Sequence, residues 1–80
     1  MDLRVVTSVD PRLAEACLMA QPDVLDASVW FQGSRLVAFV TLQPDAHTDE
    51  QTIRSVCVAA IGERQAPDEI TLARTALVAA

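Results

Sequence analysis

Apolar residues recur at helical spacing in the stretch that follows Asp10. The carboxylate of Asp10 can cap free backbone amides, and Pro11 suits the first helical position, where a missing N–H costs nothing. Apolar positions then repeat every three or four residues, at Leu13, Ala14, Ala16, Cys17, Leu18 and Ala20. Because Pro22 disfavours a helical conformation at Gln21, the pattern predicts a first helix from about Pro11 to Ala20.

A second helical pattern lies beyond Pro44. The run Thr48-Asp49-Glu50-Gln51 has the form of a capping box, in which Thr48 and Gln51 each bind a free amide of the other. The apolar positions that follow repeat at three and four residues, at Ile53, Val56, Cys57, Ala60 and Ile61. Gly62 is suited to end this helix.

Two strands are predicted between the helices, at residues 25–31 and 36–42, which are rich in Val, Phe, Trp and Leu. Gly33-Ser34 fits a two-residue turn between them, because glycine supplies the positive φ that such a turn needs. After Pro67, residues 69–72 form a short third strand. Residues 75–80 show no clear period and are interpreted as a frayed helical turn or a disordered segment.

The turn at Gly33-Ser34 also predicts which side chains share a face of the hairpin. One face carries the opposing pairs Phe31–Leu36, Val29–Ala38 and Ala27–Val40. The other face carries Ser28, Trp30, Val37, Phe39 and Thr41. From the first face and the two helical stripes, the predicted core is Leu13, Val29, Phe31, Val40, Ile53 and Ile61.

Trp30, Val37 and Phe39 are the candidate interface. If the helices cover only the first face, these three residues form an exposed apolar patch, which marks an interaction site, and Trp is enriched among interface anchors. The alternative is that the helices cover both faces, which would make Trp30 part of the core.

The predicted order is helix, strand, strand, helix, strand. A hairpin and a third strand with two amphipathic helices indicate a two-layer α+β fold with a small mixed three-stranded sheet. The third strand can pair parallel to a hairpin strand through the second helix. At 80 residues the chain is predicted to be one domain, residues 1–80.

The amino-acid composition limits the classes of partner that the chain is expected to bind. The net charge is −5, and the six cations are arginines scattered along the chain, with no lysine among the 80 residues. A nucleic-acid partner is therefore not expected, since it needs clustered cations, and an anionic membrane surface is disfavoured for the same reason. The chain shows no apolar run near the ~20 residues of a membrane span and no signal-peptide pattern, so a cytoplasmic location is predicted.

Residues with candidate chemistry are few. Cys17 and Cys57 lie in apolar helical patterns and are interpreted as two buried thiols, although the sequence leaves a disulfide between them open. A self-contained enzyme would use Cys17, Cys57 or His47 as nucleophile or base, but nothing in the sequence pairs them. Glu63, Asp68 and Glu69 form either an acid/base set or, as we expect, a solvated rim. Two Cys and one His give no metal-ligand spacing, so no metal and no cofactor are predicted.

Several segments resemble the C-terminal subdomain of adenylate-forming enzymes, which include acyl-CoA synthetases and the adenylation domains of nonribosomal peptide synthetases. Residues 9–15, VDPRLAE, resemble its V-E-P-x-E-I-E start, and residues 22–29, PDVLDASV, resemble its H-P-x-V-x-x-A-A-V segment. Residues 35–40 are similar to its second strand and residues 48–50 to its T-E-E helix start, while Pro67 and Ile70 resemble its last strand. The match covers residues 9–72 in order, and the αββαβ order of that subdomain agrees with the elements predicted above.

The resemblance implies a small subdomain that swings over a larger nucleotide-binding subdomain. Two of its parts carry chemistry: a Gly-x-Arg loop, which falls on Val6, Thr7 and Ser8, and a lysine, which falls about three residues beyond Ala80. This sequence contains neither of the two parts, and it also contains no Gly-rich phosphate loop. The chain is therefore predicted to be a stand-alone, non-catalytic accessory or interaction module in an acyl-activating, polyketide or nonribosomal peptide pathway.

Its expected partner is a large adenylating subunit, a biosynthetic enzyme or a second copy of the chain. The alternative is the lid subunit of a split AMP-forming acyl ligase.

Overall fold

A computed structural model describes residues 9–74 of the chain. Five elements follow one another in the predicted order, confirming the α+β class. They are α1 (Pro11–Met19), β1 (Val24–Gln32), β2 (Arg35–Leu42), α2 (Glu50–Ile61) and β3 (Glu69–Arg74). The interpretation of residues 75–80 lies outside the described residues.

The three strands form one sheet in the order β1-β2-β3, in which β2 is central. β1 and β2 are antiparallel, and their register pairs Phe31 with Leu36, Val29 with Ala38 and Ala27 with Val40, as the sequence predicts. Gly33 adopts a φ of 66°, a value that glycine reaches without strain. β3 pairs parallel to β2 through α2, which confirms the mixed sheet.

Both helices lie on the same face of the sheet. The core joins residues of the two helices to alternate residues of all three strands, at Leu18, Ile53, Cys57, Ala27, Ala38, Val40 and Ile70. The start of α1 is tied to the segment after α2, because the Asp10 N–H donates to Gln65 Oε1 at 2.9 Å. Gln21, just after α1, donates through Nε2 to the Ile53 carbonyl at 3.2 Å. The two helices therefore run antiparallel.

Two residues of the predicted core are exposed. Phe31 is on the predicted face but 47% exposed, because it lies on an edge strand beside the hairpin turn; its partner Leu36, on the central strand, is buried. Leu13 is 45% exposed, because α1 turns Ala14 and Leu18 to the sheet instead.

The other predicted core residues agree more closely with the structure. Val40 and Ile53 are buried, as predicted. Val29 is partly buried against the core cluster, and Ile61 is partly buried at the end of α2.

The helix caps match the sequence in two places and differ in one. The Arg12 N–H donates to Asp10 Oδ1 at 3.0 Å, and Gly62, with a φ of 90°, ends α2. The predicted capping box at Thr48 is wrong. Helix α2 begins one residue later, because Asp49 is its cap and accepts from the Thr52 N–H at 2.8 Å.

We expect Leu18→Ala to lower the free energy of unfolding by about 2–5 kcal/mol, since it opens a cavity under a fully buried side chain. Leu13→Ala, on the same helix with the same change in helix propensity, is the matched control and should cost less than about 1 kcal/mol. Urea denaturation followed by circular dichroism measures both. Equal losses would show that α1 does not turn Leu18 to the sheet.

The free energy of unfolding should fall in acid, partly because the two helix-capping carboxylates, Asp10 and Asp49, become protonated. Hydrogen bonds from the backbone N–H of Arg12 and of Thr52 lower the pKa of Asp10 and of Asp49. A lowered folded pKa stabilises the fold above the unfolded value, about 3.9, and that contribution is lost as pH falls through the lower folded pKa. Asp49→Asn should therefore reduce the loss of denaturation midpoint below about pH 4.

Asp45→Asn removes one carboxylate from a loop and serves as the control for that titration. An acid profile of Asp49→Asn that matches the wild type, with a different profile for Asp45→Asn, would contradict the role of the cap.

Candidate interaction surface

Trp30, Val37 and Phe39, here called the open-face cluster, lie on the sheet face opposite the helices. Val37 is directly across from Trp30, and Phe39 is diagonal to it, at a separation that aromatic side chains can bridge. Trp30 is 43% exposed and Phe39 is 42% exposed. Val37 is only 7% exposed, because it lies on the central strand between Trp30 of β1 and Glu69 of β3.

Polar residues surround the open-face cluster. Arg35 Nη2 lies 3.4 Å from Glu69 Oε1 on the same face, near the hairpin turn. Ser28 and Thr71 lie on either side of Phe39, on β1 and β3. An exposed ion pair of this kind contributes little to stability, but it gives the apolar centre the polar rim that is typical of protein interfaces.

Asp68 attaches β3 to the central strand at that end of the sheet. The Leu36 N–H donates to Asp68 Oδ2 at 2.8 Å, and the Asp68 N–H donates to the Leu36 carbonyl at 2.8 Å. Because β2 is held on both sides, the backbone beneath the open-face cluster is fixed in position.

The two thiols lie between the helices, away from the open face. Both cysteines are free; Cys57 is fully buried and Cys17 is partly buried against the same core cluster. Burial, together with the hydrogen bond and the charge of neighbouring Cys17, raises the pKa of Cys57 to about 12. At neutral pH Cys57 is therefore a thiol, whereas a nucleophile must be a thiolate.

The carboxylates considered as an acid/base set have separate partners. Glu63 Oε2 lies 3.9 Å from Arg54 Nη2, Asp68 binds the Leu36 amide, and Glu69 pairs with Arg35. His47 is exposed in the loop before α2. The structure therefore does not gather these groups into one site.

Sequence reasoning missed two features. It interpreted Cys17 and Cys57 as two buried thiols and left a disulfide between them open, but it did not predict that Cys17 would be only partly buried. It also missed the Arg35–Glu69 pair, whose members belong to strands that only the parallel register brings side by side.

Within residues 9–74 no group of three or more His, Cys, Asp or Glu side chains is placed to hold a metal ion. The same residues enclose no pocket. Neither described helix is long and apolar enough to cross a membrane. Val6, Thr7 and Ser8, on which the Gly-x-Arg loop was aligned, lie outside the described residues.

Residues 14–78 match the family model of the AMP-binding enzyme C-terminal domain. The chain belongs to this family. The match covers most of the sequence and includes both faces of the sheet, so the open-face cluster lies within the family's fold. No curated protein sequence matches the chain.

Solved structures agree with this assignment. The amide bond synthetase McbA from Marinactinospora thermotolerans superposes with a TM-score of 0.75 at 25% identity, covering 88% of this chain. IdnL1 superposes with a TM-score of 0.73 at 26% identity, covering 81% of this chain. An acyl-CoA synthetase from Brucella canis, at 20% identity and a TM-score of 0.69 over 79% of this chain, shares the fold.

The chain spans only a small part of these proteins. It covers 15% of McbA, 14% of IdnL1 and 13% of the Brucella canis enzyme. Only the C-terminal subdomain of the adenylate-forming fold is therefore found in this chain.

Proposed function

We propose that the chain is a non-catalytic interaction module of an acyl-activating, polyketide or nonribosomal peptide pathway in the cytoplasm. It binds a protein partner through the open-face cluster and self-associates through the same surface when that partner is absent. The observation that carries the proposal is the sheet face that neither helix of residues 9–74 covers, on which Trp30 and Phe39 are 43% and 42% exposed.

The chemistry of that face favours a protein partner. Its centre is aromatic and aliphatic, and Trp and Phe supply large apolar area at a small cost in side-chain entropy. The net charge of −5 and the scattered arginines do not favour a nucleic acid or an anionic membrane.

The sequence also supports a non-catalytic role. The Gly-x-Arg loop that the resemblance implies falls on Val6, Thr7 and Ser8, so neither its glycine nor its arginine is kept. The high pKa of Cys57 argues further against Cys57 as the nucleophile of an enzyme reaction at neutral pH.

A second candidate is the lid subunit of a split AMP-forming acyl ligase. It is favoured by one observation: the chain matches the small C-terminal part of such enzymes, about 15% of the length of McbA, and the resemblance implies that this part moves over a larger nucleotide-binding part. In this case the partner at the open face is the large adenylating subunit, and the partner must supply the missing cation.

We expect Trp30→Ala to abolish self-association while leaving the fold nearly as stable, because it removes an exposed anchor from the open face. Phe31→Ala is the matched control: the next residue in β1, equally aromatic and 47% exposed, but on the other face of the sheet. Sedimentation velocity over a concentration series, with circular dichroism to verify folding, measures the outcome.

A wild-type chain that stays monomeric at all concentrations and binds no adenylating subunit would contradict the proposal. Equal loss of association in Trp30→Ala and Phe31→Ala would contradict the assignment to the open face.

The chain alone should not form acyl-adenylates. ATP–pyrophosphate exchange with fatty, aryl and amino acids is expected to stay at the level of a heat-treated control, because the nucleotide-binding part of such enzymes is not found in this chain. Exchange above that control would contradict the non-catalytic role. Exchange that appears only when a large adenylating subunit is added would favour the lid subunit.

A further inference from the structure

The seam between α1 and α2 holds both cysteines of the chain. Cys17 lies on α1 and packs against the cluster that contains Cys57 of α2. Gln21, one turn beyond Cys17, places its Nε2 within 3.2 Å of the Ile53 carbonyl and 3.9 Å of Cys57 Sγ. The C-terminal end of α1 therefore lies against the turn of α2 that carries Cys57.

The two thiols differ in access. Cys57 is fully buried, whereas Cys17 is partly exposed at the edge of the seam. A dissolved reagent can therefore reach Cys17 in the folded chain but not Cys57. When an accessible thiol has a buried thiol as its neighbour, the accessible thiol can form a mixed disulfide with a dissolved reagent, and the buried thiol can then displace that reagent.

We propose that Cys17 and Cys57 are a redox-responsive pair, which a small-molecule disulfide such as oxidised glutathione converts to an intramolecular disulfide joining α1 to α2. This inference is independent of the proposed function, since the seam lies on the helical side of the sheet. A covalent link there fixes the helical layer and leaves the open-face cluster unchanged.

The exchange proceeds in two balanced steps. The Cys17 thiolate attacks one sulfur of the small-molecule disulfide, forms a mixed disulfide and releases one thiolate. The Cys57 thiolate then attacks the Cys17 sulfur, forms the Cys17–Cys57 bond and releases the second thiolate. The chain loses two electrons and two protons in total, and these convert the small-molecule disulfide to two thiols.

The proximity of Cys17 and Cys57 offsets the weak acidity of the Cys57 thiol. Its thiolate fraction is small, because burial raises its pKa to about 12. The second step is intramolecular, however, and a sulfur held next to its target reacts at a high effective concentration. A disulfide joins cysteines whose Cβ atoms are about 3.5–4.5 Å apart, and Cys17 packs against the cluster that contains Cys57.

The test is exchange of the reduced, folded chain with oxidised glutathione at about pH 8.5, where thiolates are more abundant, followed by intact mass spectrometry. The wild type should end as a monomer that has lost two hydrogens and carries no glutathione. Cys57→Ala should stop at the mixed disulfide. Cys17→Ser should not react while folded, since only the buried thiol remains.

Thermal unfolding gives a second readout. The oxidised chain should unfold about 10 °C above the reduced chain, because the disulfide closes a long loop of the unfolded state, and dithiothreitol should reverse the shift. Circular dichroism verifies that each variant is folded before exchange. A folded wild type that stops at the mixed disulfide, forms only intermolecular dimers or stays reduced would overturn the proposal.

Discussion

Side-chain alternation in the hairpin is the constraint on which the rest of this structure depends. The two-residue turn, with Gly33 at a φ of 66°, sets the register between β1 and β2, and the register decides which residues face the helices. A slip of one residue would exchange the two faces completely. Small residues, Ala27 and Ala38, would then leave the core, and Trp30 would enter a space that α1 and α2 now fill.

The close approach of the helices follows from those small residues. Ala14 of α1 is fully buried on the sheet side, and Ala27 and Ala38 are buried beneath the helical layer, so few bulky groups separate helix from strand. The same close packing brings α1 against α2 and removes Cys57 from water. Burial raises the pKa of Cys57, and this burial follows from the close packing of the helices over the small residues of the hairpin.

The sequence predicted the order of elements, the sheet register and the separation of the two faces, because each depends on local chemistry: alternation, turn residues and helical periodicity. It failed where the exposure of a side chain depends on which other elements pack over it. Phe31 is on the predicted face, yet the edge strand leaves it exposed, and the stripe of α1 did not reveal that Ala14, not Leu13, faces the sheet. The contact between Cys17 and Cys57 depends on helix packing, which no single stripe encodes.

The position of Val37 and Phe39 on the central strand bears on how well this face suits a partner. Burying a sheet surface is costly where backbone N–H or C=O groups lack partners. Those of β2 are paired with β1 on one side and β3 on the other, so a partner placed over the central strand removes mainly apolar side-chain surface from water. The polar groups of Arg35, Glu69 and Ser28 remain at the margin, where water can still reach them. Phe39 therefore offers its apolar surface over a strand whose backbone is already paired, and Trp30 extends that surface onto β1.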